Sequence, residues 1–144
     1  MKTKVAYYFT ETHKGSLDYF NVNNFDFNDP LNSKEDVSKK QRVTELITNI
    51  SNTIQKGMKN QEKNTISHYL KSYGYVPLWV LVKHMTFGHI SNFYSCLEFP
   101  IKNKITKEMS LSYKKEYPNY QNKIQQVTSE ALEKILRFCN IILV

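Results

Sequence analysis

Cysteine is scarce in this chain, and arginine scarcer than its charge suggests. Cys96 and Cys139 are the only two cysteines. Neither sits in a CxxC or a His-linked spacing, so a zinc site and a disulfide framework are both excluded as organising features. Two reduced, buried thiols are the expectation. No run of about 18 apolar residues exists, which excludes a transmembrane helix. Met1-Lys2-Thr3-Lys4-Val5-Ala6-Tyr7-Tyr8 lacks the apolar core of a signal peptide, so the cytoplasm is the expected compartment. There is no Walker loop, no Rossmann fingerprint and no nucleophile elbow. Internal repeats, low-complexity tracts and strand-like alternation are missing as well. No cofactor or metal is implied.

What is present suits one ordinary globular domain spanning 1–144. Hydrophobic residues make up 40% and charged residues 23%, an ordinary balance for such a chain. The net charge is +7, almost wholly from lysine, because Arg42 and Arg137 are the only arginines. A basic domain favours anionic partners through phosphate contacts that release counterions. Thirteen carboxylates are scattered among the lysines, so charge alone describes a solvated surface.

Helical periodicity runs through most of the chain. Val5, Ala6, Tyr8 and Phe9 end a first helix near residue 12. Residues 13–33 read as a long polar and aromatic loop, pinned to the core by Phe20, Phe25 and Phe27. Ser33-Lys34-Glu35-Asp36 offers a capping serine and an acidic first turn. The helix that follows, to about residue 57, carries the stripe Val43, Leu46, Ile47, Ile50 and Ile54. A short amphipathic helix over 61–73 ends before Gly74. Pro77 suits a helix start, with Leu78, Leu81, Val82 and Met85 at core spacing and Trp79 beside them. Gly88 reads as the break before a second aromatic helix, and Ser91 as a nearby cap. Pro100 opens a helix with Ile101, Ile105 and Met109 on one side. A final helix from about 120 is apolar on a broad face and finishes Ile141-Ile142-Leu143-Val144. The expected architecture is an all-α bundle of five to seven helices with a long N-terminal loop. Trp79, Phe87, Phe93 and Tyr94 could stack bases, but aromatics at helical spacing are read as core. Trp79 is therefore expected to be buried.

The order of residues from Pro77 to Tyr94 resembles a family signature, P-L-W-x-L-V-x-x-(L/M)-(S/T)-F-G-x-(L/I)-S-x-F-Y. It is that of the Abi-like proteins, the AbiD/AbiF group of bacterial phage abortive-infection proteins. Ile66-Ser67-His68-Tyr69-Leu70-Lys71-Ser72-Tyr73 is similar to the run that precedes it in that family. Val5-Ala6-Tyr7-Tyr8-Phe9, with Asp18-Tyr19-Phe20 and Asn24-Phe25, resembles its N-terminal helix end and loop. The resemblance implies a HEPN-like helical bundle, a role in phage defence and RNA as the leading partner. It also implies a metal-independent RNase in intact members, worked by an Arg and a His on one helix. That motif is missing here. Arg137 and Asn140 are its possible remnants, and neither register of the motif supplies the histidine. The chain is thus expected to be incomplete at both ends, whether by natural truncation, frameshift or excision.

The remaining candidates for RNA contact are His68, Lys71 and Lys83. His84 and His89 are five apart across Gly88, not the i, i+4 pair a helix uses for zinc. Hydrogen bonding is their expected role. The aliphatic C-terminus is expected to pair two copies of the chain through the last helix. A different reading is a non-enzymatic, antitoxin-like oligomerising module. RNA binding should weaken steeply with salt, whereas apolar docking should not.

Overall fold

A computed structural model describes residues 1–27, 34–60, 64–116 and 134–135. Among these residues lie six α-helices and no strand: α1 (Lys2–Thr12), α2 (Lys34–Lys59), α3 (Thr65–Tyr73), α4 (Leu78–Leu81), α5 (Phe87–Cys96) and α6 (Phe99–Glu116). Short 3-10 turns occupy Asp18–Phe20, Val22–Asn24 and Val82–His84. The all-α architecture is the one expected from the periodicity. The final helix, its aliphatic end and the pairing surface assigned to it lie outside the described residues, apart from helical Lys134 and Ile135.

Each helix buries the stripe its spacing supplies. Val5, Ala6 and Phe9 of α1 turn inward against α4, α5 and α6. Val43, Leu46 and Ile50 of α2 are buried, with Ile47 and Ile54 packed beside them. That face lies against α5 and α3. Ile101 and Ile105 do the same for α6. Lys4 Nζ and the Tyr8 hydroxyl both donate to the Glu108 carboxylate, at 2.7 and 2.6 Å, and so tie α1 to α6. These two hydrogen bonds hold the Glu108 carboxyl below the usual carboxylate range.

The long loop is anchored by side chains. Phe25 stacks on Phe9 at a centroid separation of 5.2 Å and meets Phe93 at 5.7 Å. Phe9 and Phe93 close the triangle at 5.6 Å, nearly perpendicular. Each such pair adds about 0.5–1.5 kcal/mol beyond the area it buries. The Asp26 N–H donates to the Cys96 carbonyl, and Lys39 pairs with the Asp26 carboxylate at 3.2 Å. The buried Tyr19 hydroxyl donates to the Val76 carbonyl at 2.7 Å, which fixes the extended segment that leads into α4. Burial raises the Tyr19 phenol to about 12.

The corner between α4 and α5 differs from its expected form. The break falls at Met85, which is extended, and not at Gly88. Thr86 caps α5, its hydroxyl accepting from the His89 N–H at 3.1 Å. Gly88 lies in the first turn of α5, and Ser91 is buried within that helix. A threonine at the N-cap satisfies an orphan donor that glycine could not. The left-handed glycine is instead Gly74, at φ 77°, closing α3.

Two consequences can be measured. A Cβ at Gly57 would stand 2.6 Å from Cγ2 of Ile66, a core residue. Gly57→Ala should therefore destabilise the fold by about 1–3 kcal/mol from overpacking, against a helix-propensity gain of about 1 kcal/mol or less. A urea midpoint that stays level or rises would show that α2 and α3 are not tightly apposed there. Tyr19→Phe leaves the Val76 carbonyl without its donor and should cost about 1–3 kcal/mol. The raised phenol sets the sign of its pH dependence. The difference from wild type is fully present below pH 10 and fades as the pH rises from 10 towards about 12. A difference unchanged across that window would deny Tyr19 the role.

Candidate nucleic-acid interface

The site begins with the geometry of a one-turn helix. Leu78, Val80 and Leu81 of α4 are buried, as are Val82 and Met85 just after it. Steps of 100° per residue then leave one direction free. Trp79 and Lys83, four residues apart, both take it. Trp79 is 51% exposed, so the expectation of a buried tryptophan is corrected. The physical reason is that five aliphatic and thioether side chains already fill the inward face of this short segment. The sequence held a usable signal: a lysine at i+4 marks the same face as wet.

Other rings join it. Lys83 Nζ sits over the Trp79 ring, 4.9 Å from its centroid. Tyr69 of α3 meets Trp79 edge-on at 5.8 Å and 86°. Tyr73, one turn further along α3 and 63% exposed, lies 5.5 Å from Tyr69. His68 is exposed and edge-on to Tyr69 at 5.4 Å. The result is an aromatic surface, Tyr73–Tyr69–Trp79, whose outer rings are exposed and whose middle ring is half-buried, with a cation over one end. The local sequence explains its place. Asn64 caps α3, accepting from the Ser67 N–H at 2.8 Å and donating to the Gly57 carbonyl at 2.9 Å. Ile66 is then buried, and Tyr69 and Tyr73 form an i, i+4 row towards α4.

Of the sequence candidates, Lys83 is inside this cluster and His68 borders it through Tyr69. Lys71 is exposed on the same helix, α3. Arg137 and Asn140 lie outside the described residues. Phe93 and Tyr94 are fully buried, and Phe87 packs against the core, as expected for them. His84 is exposed in the turn after α4. His89 is half-buried on α5, with Nδ1 lacking a hydrogen-bond partner. Burial, with Lys56 nearby, pushes its pKa down, and Glu45 opposes that. Among the described residues no group of His, Cys, Asp and Glu could hold a metal ion.

A second concavity, of about 400 Å³, lies between α2 and α5 and went unnoticed in the sequence. Arg42, Ser91, Asn92 and Ser95 line it. Its polar groups engage one another: the Ser95 hydroxyl donates to the Asn92 carbonyl at 2.8 Å, and Asn92 Nδ2 to the Arg42 carbonyl at 3.4 Å. The aromatic surface is different, because its rings meet one another while the largest of them stays half exposed.

A family sequence model, described as Abi-like protein, matches residues 1–142. No curated protein and no solved structure matches the chain. Among the described residues no helix is long and apolar enough to cross a membrane.

The exposure of Trp79 predicts a mild substitution. Trp79→Ala should lower stability by about 1 kcal/mol or less, the range for surface sites with a single ring contact. Truncating a core tryptophan would cost about 3–5 kcal/mol. Chemical denaturation separates the two. A loss in the larger range would return Trp79 to the core.

Proposed function

The chain belongs to the Abi-like protein family, the abortive-infection group of phage-resistance proteins, and from that premise we propose that it binds single-stranded RNA on the face carrying Trp79. The observation that carries this reading is the row of Tyr73, Tyr69 and Trp79, exposed at Tyr73 and Trp79, with Lys83 over its end. Bases have a π face whatever their identity, so rings in the open suit unpaired strands without a fixed sequence. Each stacked base adds about 1–3 kcal/mol. Lys83, in the 3-10 turn directly after α4, carries the cation of this face and reaches for the backbone phosphates; Lys71 lies on α3 two residues from each tyrosine, towards the other side of that helix. The net charge of +7 adds a general attraction for the strand.

Binding is proposed in preference to cleavage. The resemblance to HEPN-type RNases calls for a histidine a few residues after the motif arginine. Ile141, Ile142, Leu143 and Val144 occupy the positions after Arg137 where that histidine would fall. Holding an RNA needs only the rings and the cations.

Fluorescence anisotropy with a labelled single-stranded RNA tests the proposal. Affinity should fall with salt, log K dropping against log [salt] with a slope near −0.7 for each phosphate neutralised. Trp79→Ala should weaken binding about 5- to 150-fold. Lys83→Glu should weaken it and flatten the salt slope by close to one phosphate. RNA recovered from the complex should be intact. Binding indifferent to both substitutions would reject this face. Association with a protein partner that ignores salt would favour the interaction-module reading.

A further inference from the structure

Trp79 belongs to two features at once. It ends the aromatic surface, and it also borders a cavity of about 270 Å³ set between the end of α1, the loop after it and the start of α4. Phe9, Tyr75, Pro77 and Leu78 give the cavity apolar and aromatic walls, and His13 and Lys14 stand at its polar side. The volume is just below the roughly 300–1,000 Å³ of pockets for drug-sized ligands. It suits one flat ring system better than a folded chain or a larger cofactor.

The polar side is prepared. Glu98, at the start of α6, holds His13 Nε2 at 3.0 Å, so this nitrogen is the donor to the carboxylate. The imidazole also lies against Phe9, with centroids 4.9 Å apart, which limits its rotation. A polar ring held in this way beside aromatic walls suits the hydrogen-bonding edge of a nucleobase. Lys14 is the next residue and is exposed, placing a cation where a base's own phosphate would leave the pocket. One wall is tied to the segment before α4, because Tyr19, which also lines the cavity, donates to the Val76 carbonyl.

We infer that this cavity receives a single unpaired nucleotide of the bound strand, its base against the half-exposed Trp79 with its polar edge towards His13, and its phosphate at Lys14. The inference rests on the RNA reading given above. It adds a position-specific element to a surface that otherwise stacks bases without preference.

An abasic scan tests it. A short single-stranded RNA is prepared as a set, each member lacking one base, and titrated against the full chain. One position should stand out, with an affinity loss of about tenfold beyond its neighbours. Thr10→Trp and, separately, Ser16→Trp fill the cavity from two exposed lining positions. Whichever keeps the wild-type circular dichroism and melting transition should abolish that extra loss while leaving the salt slope intact. Lys14→Ala should weaken binding and lower the salt slope. A flat abasic scan with Trp79-dependent binding would overturn the cavity assignment and leave the stacking surface standing. An extra loss that survives a filled cavity would do the same. No binding of the intact strand would overturn both. A free nucleoside monophosphate that binds as tightly as the strand would overturn insertion from a strand.

Discussion

Everything near the site depends on three phenyl rings in contact. Phe9, Phe25 and Phe93 come from α1, the loop and α5, and each touches the other two. Without Phe25 the loop would lose its ring contacts with α1 and α5. Without Phe9 the inward face of α1 would lose its largest side chain. One turn after Phe9 comes His13, whose ring packs on it and whose nitrogen is held by Glu98. The cluster therefore does two things. It closes the core, and it sets the floor and polar side of the cavity beside Trp79.

The second constraint is the brevity of α4. Its path is fixed before it starts by the Tyr19 bond to the Val76 carbonyl, and it ends after one turn in a 3-10 turn and an extended Met85. Within this span almost every apolar residue is used inward. Half-exposing the only tryptophan forgoes burial of the largest side chain in the protein. Sequences usually agree with their folds at every level, and the exceptions concentrate at functional or strained sites. Trp79 is such an exception. The lysine over its ring and the tyrosine row beside it turn an unused ring into an ordered platform.

That platform makes sense of the family membership in physical terms. Abortive infection needs a protein that responds to a chemical feature present during phage growth, and single-stranded RNA offers unpaired bases and a dense row of charge. On the proposed reading, the surface of rings would engage the first and the lysine-rich domain the second. His68 borders the rings, His84 is exposed in the turn after α4, and His89 is half-buried on another helix.

The helices themselves were legible in the sequence, because a buried stripe at 3.6-residue spacing is a local property. Val43, Leu46 and Ile50 announce one face of α2, and Ile101 and Ile105 one face of α6. Gly74 after the aromatic run marks the end of α3 for the same reason, since only its own backbone decides the turn. The loop's anchoring by Phe25 was legible too, as a count of rings too apolar for a free segment. What local pattern could not decide was which of several apolar neighbours the core had room for. Trp79 reads as core by hydrophobicity, and lies outside because Leu78, Val80, Leu81, Val82 and Met85 fill the available contacts first. The break at Met85 in place of Gly88 was decided the same way, by Thr86 capping α5 where the packing of α4 ends. The cavity joining His13, Lys14 and Trp79 brings together residues some 65 positions apart in the sequence. Periodicity places a residue on a face of its own helix; only the packed tertiary structure decides which faces are left open and which distant side chains share the space between them.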